Sequence, residues 1–164
     1  MFISGKERDF IIHDESNIKG FFGDYRYLSN FHVCPVYFEG LLYPSSENAY
    51  QAAKCVDVKQ RLEFVDIEPN KSKKLGRSIE VRKNWNEIKF DVMGIIVMDK
   101  FYRNKDIRHL LLETGSKYLE ETNYWKDQFW GVCDGVGENN LGRILMAVRE
   151  FYSTKQPGTV HKLF

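Results

Sequence analysis

Tyr43-Pro44-Ser45-Ser46-Glu47-Asn48-Ala49-Tyr50-Gln51-Ala52-Ala53-Lys54 is where the sequence turns from strand-like to helix-like. Pro44 and the two serines supply an N-cap, and a run of alanines and long side chains follows that favours a helix. Glu47, Gln51 and Lys54 fall at i, i+4 and i+7 of that helix. They share one face over roughly 10 Å, with Tyr50 beside them. One face thus carries an acid, an amide, an amine and a phenol. Such a stripe is ordinarily a solvated surface, but the small residues Ala49, Ala52 and Ala53 allow close packing that would turn it into a cleft.

Upstream of Pro44 the signals are β-like. Lys19-Gly20-Phe21-Phe22-Gly23 and Val33-Cys34-Pro35-Val36-Tyr37-Phe38 are aromatic or β-branched, and Glu39-Gly40 reads as a turn into Leu41-Leu42-Tyr43. Downstream the pattern is helical. A short helix is expected over 57–65, a third from Asn70 or Ser72 to about Arg82, and the longest over 84–103. In that longest helix Ile88, Val92, Ile95, Ile96 and Asp99 trace the stripe. Ile107 to Glu113 continues as helix to the Thr114-Gly115 stop, 117–121 returns as a strand, and 141–152 is the last helix, followed by a loose tail over 153–164. The expected fold class is mainly α with a small N-terminal antiparallel β element, an α+β arrangement. The Leu-Gly-Arg triplets at 75–77 and 141–143 echo one another without forming a repeat.

The chain has 164 residues, which suits one domain over 1–164 and leaves no room for a separate cofactor domain. With 24 basic and 23 acidic side chains the formal net charge is +1, which excludes bulk attraction to polyanions. Charge interrupts the N-terminus too early for a signal peptide, and the longest apolar run, 92–98, has seven residues. A soluble, cytoplasmic protein without membrane contact is expected. Three scattered cysteines and four scattered histidines give neither a disulfide framework nor metal-ligand spacing, so no metal and no cofactor are expected. Aromatics are in excess: 12 Phe, 9 Tyr and 3 Trp make 15% of the chain, more than one small core uses. Some of those rings should wall a pocket.

Two further stretches carry chemistry. Asp127 to Arg143 contains a glycine-rich loop that ends at Asn140 and runs into a helix, an arrangement that can present N–H groups to a phosphate. It lacks the third glycine of a dinucleotide fingerprint and the Lys of a P-loop. Trp130, preceded by Phe129 and followed by Gly131, suits stacking on a base. The basic stretch Lys71, Lys73, Lys74, Arg77, Arg82 and Lys83 could steer a phosphorylated ligand, although most of it reads as a solvated helix face.

Taken in series, Leu28-Ser29-Asn30-Phe31, Tyr43 to Lys54, Leu75-Gly76-Arg77, Arg82-Lys83-Asn84-Trp85, Lys100-Phe101, 111–115, Phe129-Trp130-Gly131 and Asn140-Leu141-Gly142-Arg143 resemble the NADAR (YbiA-like) family. The resemblance runs from about Phe21 to Glu150. It implies an N-glycosidase acting on ribosyl groups: family members cleave the ribosylamine bond of early riboflavin-pathway intermediates or remove ADP-ribose from guanine in nucleic acid. By position it implies Glu47, Lys54, Asp127 and Trp85 as catalytic. Ser29, Asn30, Tyr50, Gln51, Arg77, Trp130, Gly131, Asp134 and Asn140 are expected to bind substrate. Two departures stand out. Asn48 replaces the family's usual His after the glutamate, and Val132-Cys133-Asp134 replaces a more glycine-rich loop, leaving either Asp127 or Asp134 as the second acid. The competing expectation is a non-catalytic module that reads ADP-ribose or a related nucleotide.

Overall fold

The computed structural model describes residues 11–155. The expected loose tail lies largely outside them, and the part within, up to Thr154, is helical. Two small β units flank a helical body. Strands β1 (Ile12–His13) and β2 (Asn17–Lys19) pair antiparallel, and β5 (Tyr118–Glu120) joins β2 in parallel. A separate hairpin joins β3 (Val33–Phe38) to β4 (Leu41–Ser45). Its turn is Glu39-Gly40, both at positive φ (43° and 89°). That is the backbone twist a two-residue hairpin needs, and glycine supplies it without strain. The β3 side chains alternate exposed and buried, so one face meets the core.

The expected strand at 19–23 stops after Lys19. Gly20 turns the chain at φ 83°, Phe21 and Phe22 drop into the interior, and a 3₁₀ turn occupies Gly23–Leu28.

Helix α1 (Ser46–Ala53) begins where the sequence places it, with Ser45 Oγ accepting the Asn48 N–H at 3.1 Å. All eight of its residues are buried. It is enclosed by β3, β4, the 3₁₀ segment Val58–Phe64, α2 (Pro69–Leu75) and α3 (Trp85–Arg103). The helix expected at 57–65 is therefore 3₁₀. The one expected to reach Arg82 stops at Leu75, because Val81 leaves the helix to bridge Cys55. Beyond α3 come α4 (Lys105–Glu113) and α5 (Asn140–Thr154).

The buried stripe of α3 is Trp85, Val92, Met93, Ile96, Val97, Lys100 and Phe101. It is rotated from the expected one: Ile95 faces outward and Lys100 faces in. The lysine takes a core position because its stem is apolar, and its ammonium donates to the Ser29 carbonyl at 2.9 Å. The core gathers Phe21, Leu28, Tyr43, Phe64, Ile96, Phe101, Leu119 and Leu145 around α1 and α3.

Candidate active site

The cleft expected from the α1 stripe exists. A cavity of about 240 Å³ is lined by Ser29, Asn30, Phe31, Glu47, Tyr50, Gln51, Lys54, Lys73, Met93, Glu121, Trp125, Asp127, Trp130 and Leu141. It continues into a second lobe of about 320 Å³, which shares Ser29, Phe31, Lys73, Glu121 and Trp125 and adds Phe21, Phe22, Arg26 and Asn70.

Two residues of α1 and Lys54, which caps its end, form a hydrogen-bonded run across the cavity. Lys54 Nζ donates to Gln51 Oε1 at 2.6 Å, and Gln51 Nε2 donates to Glu47 Oε1 at 2.8 Å. The amide is thus a wire between an acid and an amine one turn away on each side. Burial pushes the Glu47 acid up, opposed by the Gln51 hydrogen bond and by Lys73 and Lys54. Burial pushes the Lys54 amine down, with Lys73 and Arg77 acting in the same direction and Glu47 against it. Burial thus strengthens the Glu47 carboxylate as a proton acceptor and favours the free amine of Lys54.

The floor is fixed from outside. Glu47 N–H donates to the Asn30 carbonyl at 2.9 Å, which ties the Ser29-Asn30 turn to the start of α1. Gly76 leaves room for Gln51: a Cβ there would overlap the Gln51 side-chain amide. Asn48 faces away from the cavity. Its Nδ2 donates to the Phe64 and Ile67 carbonyls at 2.9 and 2.8 Å, pinning the 3₁₀ segment to α1. The residue that stands where an imidazole was expected is therefore structural.

The aromatic wall is a stack of edges. Trp130 Nε1 donates to Tyr50 Oη at 3.2 Å, with the two rings perpendicular and 5.5 Å apart. Trp85 packs 5.0 Å from Tyr50 on its other side and does not line the cavity. The expected catalytic tryptophan thus supports Tyr50 from behind. Arg82, just before it in sequence, donates its N–H to the Lys54 carbonyl at 2.9 Å and so closes the end of α1.

Of the two alternative acids, the structure puts only Asp127 in the cavity. Its Oδ1 accepts the N–H groups of Trp130 and Phe129 at 2.8 and 3.2 Å. Asn123 holds its backbone, accepting the Asp127 N–H and donating to its carbonyl. Asp134 is exposed in the tight Cys133–Val136 turn at φ 51°, away from the lining. Gly131 is a packing residue: a Cβ would collide with the Glu121 carbonyl and crowd Asn123 Nδ2 at 2.8 Å.

Where the loop meets α5, five of its N–H groups are already taken. Those of Glu138, Asn139, Asn140, Leu141 and Arg143 donate to the carbonyls of Gln128, Gly131, Phe129, Trp130 and Asn139. The Asn140 side chain is likewise spent, donating to Phe129 O and Glu138 Oε2 and accepting from Arg143. Arg77 is exposed and outside the lining. Besides Lys54, the basic side chains that reach the cavity are Lys73, whose Nζ sits 5.3 and 5.7 Å from the Phe31 and Trp125 ring centres, and Arg26 in the second lobe. Lys73 belongs to the basic stretch, and its helical phase singles it out. Arg26, Glu121 and Trp125 carried no motif that sequence reading used.

A NADAR domain model matches residues 16–152. The chain belongs to the NADAR family. It is 38% identical over 132 residues to N-glycosidase YbiA of Escherichia coli, covering 77% of this chain and 81% of that protein. It is 35% identical over 133 residues to an N-glycosidase of Nostoc punctiforme, covering 77% and 85%. A riboflavin biosynthesis protein of Vibrio vulnificus is 41% identical over 128 residues, covering 76% of this chain but 35% of that protein, so the chain spans about a third of it. The NMR structure of E. coli YbiA superposes on this NADAR chain with a TM-score of 0.78 at 32% identity, covering 97% of this chain and 98% of that one. The α+β architecture read from sequence is that of this neighbour. Among the described residues no group of three or more His, Cys, Asp and Glu is placed to hold a metal ion, and no helix is long and apolar enough to cross a membrane.

Proposed function

We propose that this protein is an N-glycosidase that hydrolyses the C1′–N bond of a ribosyl-amine nucleotide, with Glu47, Lys54 and Asp127 around the reacting carbon. Its N-glycosidase relatives support the class of reaction. The observation that carries the reading is the run Glu47–Gln51–Lys54 on the cavity floor, an acid and an amine each buried and each drawn toward neutrality. A module that merely bound nucleotide would need ring stacking and phosphate contacts but no such pair.

Breaking a C1′–N bond moves its electron pair onto nitrogen and leaves positive charge on the ribose. Glu47 stabilises that charge, and with its raised pKa it can also take a proton from the attacking water. Asp127, fixed by the two backbone N–H groups, adds a second negative charge across the cavity. A ribosylamine also opens to an imine, and Lys54 is placed to capture C1′ as a Schiff base that water then releases. Asn30 Oδ1 is buried without a hydrogen-bond partner, so a ribose hydroxyl would satisfy it. Tyr50 and Trp130 wall the sugar and the base, and Lys73 and Arg26 take phosphate. The reading places the enzyme in the cytoplasm, among phosphorylated nucleotides.

Two leaving groups fit: the pyrimidine amine of a phosphorylated riboflavin-pathway intermediate, and the guanine of an ADP-ribosylated nucleic acid. Incubating the protein with each substrate separately, and assaying free ribose 5-phosphate or ADP-ribose, chooses between them. Release must vanish in Glu47→Ala while equilibrium binding of the substrate persists. Binding of either compound without release by the wild type would instead establish a nucleotide reader.

A further inference from the structure

We propose that Glu121 is the proton donor to the leaving nitrogen, a catalytic residue beyond Glu47, Lys54 and Asp127. The proposal rests on the glycosidase reading above. Glu121 stands where the reaction cavity opens into the second lobe and lines both. Its Oε2 is shut off from solvent and has no hydrogen-bond partner. A carboxyl oxygen left so costs stability, and structures keep such groups where a ligand completes them.

The backbone that carries this carboxyl is held from several sides. Glu121 N–H donates to Asn139 Oδ1 at 3.0 Å, and its carbonyl accepts the Val132 N–H at 2.9 Å. The missing Cβ of Gly131 is what lets that carbonyl sit where it does. Asp127 faces Glu121 with like charge, while Arg26, Lys73 and Lys100 oppose it from the 3₁₀ turn, α2 and α3. Burial outweighs these cations and, with Asp127, pushes the acid up to about 8, so that it is protonated at neutral pH. Asp127 is wired as an acceptor, since its Oδ1 is occupied by two backbone N–H groups. Glu47 already accepts from Gln51. Of the three cavity acids, Glu121 alone has a carboxyl oxygen both enclosed and without a partner.

The step balances. As C1′–N breaks, its electron pair takes the Glu121 proton at nitrogen and the neutral amine leaves. The oxygen of water, or first Nζ of Lys54, bonds to C1′, and the proton from water passes to Glu47. On product release Glu47 returns its proton to solvent and Glu121 takes one back, so the net change is hydrolysis.

The test is kcat against pH for the wild type and Glu121→Gln, on whichever substrate the wild type cleaves. Wild-type kcat should fall above about pH 8 as Glu121 ionises. The variant should turn over about 100-fold more slowly at pH 7 with KM little changed, and should lack that basic limb. A variant within about threefold of the wild type, or one that keeps the limb, overturns the proposal. Circular dichroism reports whether the variant folds. If it does not, the wild-type profile decides alone, and a rate flat from about pH 7 to about pH 9 overturns the assignment. A wild type that binds but releases nothing defeats the glycosidase reading itself, and this proposal with it.

Discussion

Gly76 lies directly against the side-chain amide of Gln51, with no space for a methyl group between them. Gly76 has ordinary right-handed backbone angles, φ −62° and ψ −8°, so its glycine answers to this contact and not to conformation. Gly76→Ala should therefore displace Gln51 and cut the run from Lys54 to Glu47. The expected outcome is a fall in kcat of about tenfold or more, with a stability loss of about 1–3 kcal/mol from overpacking. Steady-state kinetics beside urea unfolding checks both; unchanged kcat would show that the amide bridge is dispensable.

Reducing the enzyme with borohydride during turnover should fix substrate to Lys54, detectable as a mass increment on the peptide containing it. Imine formation needs the free amine, and burial lowers the Lys54 pKa, so trapping should persist well below the pH of ordinary lysines and fade only on further acidification. Lys54→Arg should abolish the adduct. An active enzyme that yields no adduct uses direct attack by water.

Asn48→Ala should unfold more easily by about 2–4 kcal/mol, because it strips hydrogen bonds from two carbonyls, at Phe64 and Ile67, one of them buried. Its side chain does not reach the cavity, so the pH profile of any remaining activity should keep its shape. A chemical denaturation curve and a pH–rate profile on the same preparation separate the two effects.

Glu121 also makes stability depend on pH. Its pKa is raised from 4.5 to about 8 in the folded state, so between those values the native protein holds a proton that the unfolded chain has lost. Stability from this group is complete below about pH 4.5 and declines as pH rises toward 8. Glu121→Gln removes the decline. The variant should melt above the wild type at pH 8, with the gap narrowing toward pH 5, on the order of a few kcal/mol at its widest. A gap that does not change with pH would contradict the buried-acid picture.

The stripe of α1 was legible because helical spacing makes residues co-facial whether or not the helix is buried. That it faces a cavity was not, since enclosure of Ser46–Ala53 depends on five other elements folding around it. Trp130 stood out by its place beside Gly131, and Asp127 by the family resemblance, as the acid shortly before Trp-Gly. Glu121 could not, because Glu120 and Glu121 are adjacent at a strand end, and which one lines the cavity depends on β2 pairing with β5 across a hundred residues. Lys73 looked no different from Lys71 and Lys74 until the phase of α2 was known. The glycine loop misled for a physical reason: composition shows that N–H groups are exposed to choice, not which carbonyls claim them. The shift in the α3 stripe has a similar source, since hydropathy ranks Lys100 below Ile95 although its stem packs as well.

On the proposed reading, phosphate falls to two long, separately encoded side chains, Lys73 and Arg26, and not to the Gln128–Asn139 loop. Anion preference can then drift by one codon at a time without touching the loop that positions Asp127. Reach and charge at those two positions become a dial for substrate size, set independently of the chemistry beneath it.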